Sequence, residues 1–194
     1  SPDYILCPEG KEQAVVDAYC KRFKEMFPAF SSTTDHSSVH SERHFQRLQE
    51  ILSDAKAKGA TVISANGQEP DPKTRMMPTH LVLNATEDMI VMQEEIFGPI
   101  APVIRFSTDD ELIDMANDTI YGLASYFYSQ NINRIWKVAE ALEYGMVGIN
   151  EGMISTEVAP FGGVKQSGIG REGAKQGIDE YMDIKYLCFG GIQA

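Results

Sequence analysis

The sequence predicts an α/β protein whose parallel sheet is covered by helices on both faces, a three-layer arrangement. Three observations carry this. Segments of helical and strand-like patterning alternate along the chain, an order that favours parallel strands joined by helical crossovers. Gly and Pro punctuate the segments. Hydrophobic residues make up 43% and charged residues 23% of 194 positions, the composition of one globular domain or of one lobe of a larger one.

An apolar strand opens the chain at Tyr4-Ile5-Leu6. Val15, Tyr19, Phe23 and Phe27 then recur every four residues along one face of a helix that Pro28 stops. After a polar loop over 31–41, Ser41 is placed to cap a second helix. Its inner face is Phe45, Leu48, Leu52 and Ala55, and Gly59 is its C′ residue. A strand at Thr61–Ser64 precedes a Gly/Pro-rich turn region over 67–78. Strands follow at 80–84 and 101–106. Thr108 and Glu111 form a capping box for a helix with Leu112, Met115 and Ala116 inward. Residues 123–128 read as a strand. Asn131 begins a helix burying Ile132, Ile135, Trp136, Ala139 and Leu142, and a short buried strand lies within 145–150. A Gly-rich loop, a helix over 172–182 and a strand over 184–189 finish the chain. With no helix behind it, that last strand suits pairing with another sheet edge, for example in a partner subunit. The expected organisation is one domain over 1–182 followed by a strand with its tail over 183–194.

Composition excludes several function classes. Seventeen Lys and Arg against 28 Asp and Glu give a net charge of −11, which offers no basic face to nucleic acid. No apolar run reaches the ~20 residues of a membrane span. Cys7, Cys20 and Cys188 are too scattered for a disulfide framework, which suits a reducing, cytoplasmic setting. The chain opens in a strand-like run without an initiator Met, as expected of a piece of a longer polypeptide.

Some motifs have a plain reading beside the chemical one. Gly168-Ile169-Gly170-Arg171-Glu172-Gly173 matches Gly-x-Gly-x-x-Gly, yet it follows a loop and no second strand completes a dinucleotide-binding unit. Its glycines suit close backbone approach instead. His40 and His44 have the spacing of a helical chelate but no third ligand at a fitting offset, so they and His36 read as surface residues. Cys20 flanks an apolar helical stripe and reads as a small core residue. Two segments say more. Gln93-Glu94-Glu95-Ile96-Phe97-Gly98-Pro99 sets carboxylates beside an aromatic ring and a Gly-Pro turn, able to grip a ribose diol and stack a flat heterocycle. In Pro160-Phe161-Gly162-Gly163, an aromatic ring on a constrained backbone suits the wall of a pocket or plain packing.

Together these two segments resemble the aldehyde dehydrogenase family. Glu94-Glu95-Ile96-Phe97-Gly98-Pro99 resembles its cofactor motif, and Pro160-Phe161-Gly162-Gly163 with Lys165, Ser167-Gly168 and Gly170-Arg171-Glu172 resembles its C-terminal signature. From about residue 100 onward the text is most similar to members acting on succinate semialdehyde, as in Tyr126-Phe127-Tyr128 and Val147-Gly148-Ile149-Asn150. Pro2-Asp3-Tyr4-Ile5-Leu6 and Arg43-His44-Phe45-Gln46-Arg47 look more like coniferyl-type members.

The resemblance implies a Rossmann-like three-layer lobe ending in an oligomerisation strand, assembly as a homodimer or tetramer, and oxidation of a small aldehyde by NAD or NADP. It implies that Glu95 holds the nicotinamide ribose, Phe97 packs near the nicotinamide, Phe161 lines the aldehyde tunnel and Ser155 binds the substrate's carboxylate. It places the nucleophilic cysteine just ahead of Ser1, so that no catalytic residue falls within the chain and the chain alone is expected to be inactive. Two alternatives stand beside succinate semialdehyde: an aromatic aldehyde of the coniferyl kind, and a non-catalytic assembly module.

Overall fold

The computed structural model describes residues 2–32 and 34–191. The chain folds as two compact units, residues 1–112 and 113–194.

The first unit contains strands β1 (Ile5–Pro8), β2 (Thr61–Ser64), β3 (His80–Leu83) and β4 (Ile100–Phe106) in the order β1-β4-β3-β2. β1 and β3 both run parallel to β4, with Ile5 opposite Val103 and Val82 opposite Pro102. β2 departs from the expected parallel sheet: it is antiparallel to β3, with Val62 opposite Val82. The cause lies in the connection. Residues 65–79 hold turns and an Asp71–Met76 bridge but no helix, and without a crossover helix the chain folds straight back.

Helices α1 (Glu12–Met26) and α2 (Glu42–Ala57) supply the other two layers. Neighbouring strand residues point to opposite faces. Val82 and Ile100 therefore pack with Phe45, Leu48, Ile51, Leu52 and Ala55 of α2, while Leu81, Ala101 and Val103 pack with Val16 of α1 and Cys7. The caps form as expected. Ser41 accepts from the His44 amide, and Gly59 takes a left-handed φ of 95° just beyond α2. The short α3 (Ile90–Gln93), which the sequence pattern did not signal, starts where Asp54 accepts from the Ile90 amide at 2.8 Å. Thr108 caps α4 (Asp109–Asn117), although Glu111 reaches back to the Ser107 amide and not to that of Thr108.

The second unit is built on a parallel pair, β5 (Ala124–Phe127) and β6 (Met146–Ile149), joined through α5 (Ile132–Ala141). Asn131 caps α5 by accepting from the amides of Asn133 and Arg134. The buried face of α5 is rotated from the one expected. Val138 is buried, whereas Ile132 and Trp136 are each 62% exposed. A two-stranded sheet is too narrow to cover the whole apolar stripe. β6 is likewise mostly half-buried, with only Gly148 fully enclosed.

The helix expected over 172–182 shrinks to α6 (Gln176–Asp179), because Gly173 and Ala174 are left-handed and Glu172 is bridged to Phe161. The strand expected over 184–189 does not form among the described residues, and Ile184, Tyr186, Leu187 and Phe189 stand exposed. A strand exists only when another edge pairs with it.

Candidate functional site

In the first unit the Glu94–Pro99 turn is anchored on the core. Ile96, 1% exposed, plugs the α2 cluster, and the next residue reverses direction. Phe97 has φ 47°, a left-handed conformation that costs a bulky residue on the order of 1–2 kcal/mol, and its ring is 79% exposed. Gly98 follows because the turn lies directly on Leu48, whose side chain a Cβ would strike. Beyond it, the Pro99 carbonyl accepts from the His80 amide at 2.8 Å, tying the turn to β3. Two side chains hold the turn from outside. Asp3 accepts from the Ile96 amide at 2.9 Å, while Arg47 donates to the Ile96 carbonyl and pairs with Glu94 at 3.3 Å.

Beside this turn lies a cavity of about 370 Å³. Phe97, Gly98 and Pro99 form one wall, and His40, His44 and Met77 contribute to the others. Glu95 is exposed on the same turn but does not line the cavity.

His36, His40 and His44, read from the sequence as surface residues, thus all border the cavity. The overlooked signal is their repeat at every fourth position, carried through a loop that ends at the cap of α2. His36 also sits edge-on among Phe23, Phe27 and Phe30, and its buried Nδ1 has no hydrogen-bond partner among the described residues. The fourth histidine, His80, is a core residue. Its Nδ1–H donates to the Pro78 carbonyl at 2.7 Å, and burial holds its pKa below the usual value.

In the second unit two loops carry the other expected site residues. Asn150, left-handed at φ 55°, clamps Ser129: its side-chain Oδ1 accepts from the Ser129 amide and its Nδ2 donates to the Ser129 carbonyl. The Glu151 carboxylate accepts from the amides of Gly152 at 2.8 Å and Met153 at 2.9 Å, which lowers its pKa and folds the segment leading to exposed Ser155. The half-buried Phe161 is fixed by paired backbone hydrogen bonds to Glu172, both 2.8 Å. Its loop is pinned from three sides. Lys165 donates to the carbonyls of Asn117 and Thr119 and pairs with Glu143, Ser167 accepts from the Gly122 amide, and Arg171 donates to the Gly163 carbonyl.

The glycines around Phe161 serve close backbone approach. A Cβ on Gly145 would overlap the Gly162 carbonyl, and one on Gly162 would lie 2.6 Å from the Gly170 carbonyl. At the Gly168–Gly173 motif, the Glu180 carboxylate already accepts from the Arg171 amide. An amide that a phosphate would need is therefore taken by an internal carboxylate. Glu95 and Phe97 are thus brought together on one turn, and Ser155 and Phe161 stand on separate loops of the other unit.

The cysteines offer no activated thiol in either helix or strand. Burial raises the pKa of Cys7, which is 1% exposed, and Glu12 adds to the effect. Burial also raises that of Cys20, with Lys24 opposing and Asp17 reinforcing the shift. No helix among the described residues is long and apolar enough to cross a membrane.

The profile described as "Aldehyde dehydrogenase family" matches residues 1–187. Mitochondrial succinate-semialdehyde dehydrogenase of Homo sapiens is 46% identical over 191 residues, covering 97% of this chain and 36% of the human protein. The corresponding protein of Oryza sativa is 43% identical over 190 residues, with the same coverage. The chain therefore spans little more than a third of the length of these relatives. Among solved structures, succinate-semialdehyde dehydrogenase from Burkholderia pseudomallei aligns with TM-score 0.81 and 40% identity over 96% of this chain and 39% of that one. Betaine aldehyde dehydrogenase from Staphylococcus aureus, in complex with NAD+, aligns with TM-score 0.77 and 34% identity over 92% of this chain and 37% of that one.

Proposed function

The chain belongs to the aldehyde dehydrogenase family, and on that premise we propose that it forms part of an enzyme that oxidises succinate semialdehyde to the acid with NAD or NADP. The observation that carries the proposal is the left-handed Phe97, whose ring borders the cavity beside Leu48 and Met77. A pocket lined by Phe97, Leu48 and Met77 together with histidines and serines suits a nicotinamide ring, with the ribose reaching out of it toward Glu95 on the same turn. When bound, the cofactor supplies the hydride acceptor.

The chain's own residues hold and orient. Phe97 presents its face to the flat ring, and Glu95 accepts from the ribose hydroxyls. Phe161 lines the aldehyde's path and Ser155 donates to its distal carboxylate. Cys7 and Cys20, with pKa values raised by burial, take no nucleophilic part. The 194-residue chain alone is expected to give no aldehyde-dependent reduction of NAD or NADP. Turnover by it with succinate semialdehyde that disappears on mutating Cys7 or Cys20 would overturn this. Within the full-length enzyme, a hydrogen bond from Ser155 to a charged acceptor is worth roughly 1.5–3 kcal/mol. Ser155→Ala should therefore lower kcat/KM for succinate semialdehyde by about tenfold or more and leave butanal nearly unchanged. Equal losses on both aldehydes would remove the carboxylate-binding role, and a preference for aromatic aldehydes in the parent would redirect the reading to the coniferyl kind.

Assembly belongs to the same proposal. Ile184, Tyr186 and Phe189 are exposed along an unpaired segment that suits addition to the sheet edge of a second copy. Truncating the enzyme after Asp183 should reduce the sedimenting species to monomer. The cysteines are free, and the human and rice relatives are named as mitochondrial. Imaging of the tagged full-length protein distinguishes mitochondria from cytoplasm.

A further inference from the structure

We propose that Asp3 and Arg47 are positioning residues, which together lock the Ile96 peptide groups and so aim Glu95 and Phe97 at the cofactor; this rests on the cofactor reading above. The turn has to keep a bulky residue left-handed, a conformation that persists only where the surroundings over-determine it. Ile96 is where that happens. Its amide donates to Asp3 at 2.9 Å, its carbonyl accepts from Arg47, and its side chain is sealed in the core. Both polar groups of one residue are thus taken by an acidic and a basic side chain from distant parts of the sequence, one just before β1 and one on α2.

The fixation extends to both sides of Ile96. A second Arg47 nitrogen pairs with Glu94 at 3.3 Å, Asp3 also interacts with the Phe97 amide, and Gly98 abuts Leu48 on the same helix as Arg47. Burial pushes the Asp3 pKa above the usual carboxylate value, with the Ile96 amide and the attraction of Arg47 opposing that shift, so the two side chains brace the turn from either side of one peptide. Neither residue lines the cavity. Their influence on the reaction passes through Glu95 and Phe97. A fork with parallel donors can hold the Ile96 carbonyl and Glu94 together, which a lysine cannot do as well.

The test uses full-length enzyme with Asp3→Ala, Asp3→Asn, Arg47→Met, Arg47→Lys and Glu95→Gln, assayed for kcat and for KM of each substrate. Asp3→Ala and Arg47→Met should raise the cofactor KM and lower kcat, about tenfold in kcat/KM, with the aldehyde KM within about twofold. Asp3→Asn keeps an oxygen acceptor and should recover most of the loss, and Arg47→Lys only part of it. The second readout needs no turnover. Amide exchange at Ile96 and Phe97 should speed up about tenfold in Asp3→Ala while the α2 core amides stay protected. If Glu95→Gln is neutral, the cofactor reading fails, and the exchange rates still judge the brace. If Glu95→Gln is impaired but Asp3→Ala and Arg47→Met alter neither cofactor KM nor exchange, the brace is overturned. Parallel rises in both KM values with general loss of protection would also overturn it.

Discussion

The two units of the chain differ in what they can bury alone. Residues 1–112 enclose Phe45, Leu48, Ile51, Met77, Leu81, Ile96 and Ile100 almost completely. Beyond Leu112, only Ala116 and Val138 among the described apolar side chains are buried, while Trp136, Met153, Val158, Ile169, Tyr181 and Ile184 are all more than half exposed. The first unit has a sheet with a helix on each face, and the second a two-stranded sheet whose strands are joined through the ten-residue α5. Similar apolar patterning therefore gives unequal cores, because layers and not residues close a core. The contrast extends to the expected sites. The Glu94–Pro99 turn is held from the core outward, whereas the Ser155 loop is held by the neighbouring Glu151 carboxylate and the Phe161 loop by polar bonds to Glu172, Asn117, Thr119 and Gly122, with no core cluster beneath either among the described residues.

The largest effect that tests this contrast is a cavity. Phe45→Ala should cost about 3–5 kcal/mol in urea unfolding. Trp136→Ala, removing a larger ring, should stay within about 0.5 kcal/mol under monomeric conditions. Similar losses at both positions would mean that Trp136 is covered in solution and would break the comparison.

A smaller effect comes from the glycine loops. Gly145→Ala should destabilise by about 1–3 kcal/mol and displace the Phe161 loop, since the backbone itself must move. Gly67→Ala, with φ 81° and open space around it, should cost only about 1 kcal/mol. Thermal midpoints and near-ultraviolet circular dichroism of the two variants check both values.

Helix caps sharpen the comparison further. Ser41→Ala and Asn131→Ala each remove an N-cap worth about 1 kcal/mol. Hydrogen exchange should show fraying confined to the first turn of α2, which the core grips, but spread along all of α5. Equal spread in the two helices would contradict the difference in packing.

The smallest effect is one of pH and belongs to the first unit alone. The His80 pKa is held below its unfolded value of about 6.5 by burial, with the Pro78 carbonyl and Glu69 opposing the shift and Lys56 adding to it. Protonation then favours the unfolded state. The contribution is fully present above the unfolded value and is lost as pH falls through the lower, folded one. Urea midpoints measured down from pH 7 should decline more for the wild type than for His80→Phe.

Nearest-neighbour chemistry was enough to locate much of this. Ser41 and Asn131 cap because an oxygen needs only the next two or three amides, and Gly59 ends α2 because a left-handed residue is a local requirement. The Glu94–Pro99 and Phe161 segments stand out for the same reason: a ring beside Gly or Pro on a constrained turn is written in consecutive residues. What the tertiary structure decided involves partners far along the chain. It set the direction of β2, placed three histidines on one cavity, and gave the Ile96 peptide to Asp3 and Arg47. It also left the apolar segment over 184–189 unpaired, because alternation sets which side chains share a face but a ladder forms only when a second edge supplies the other half of its hydrogen bonds.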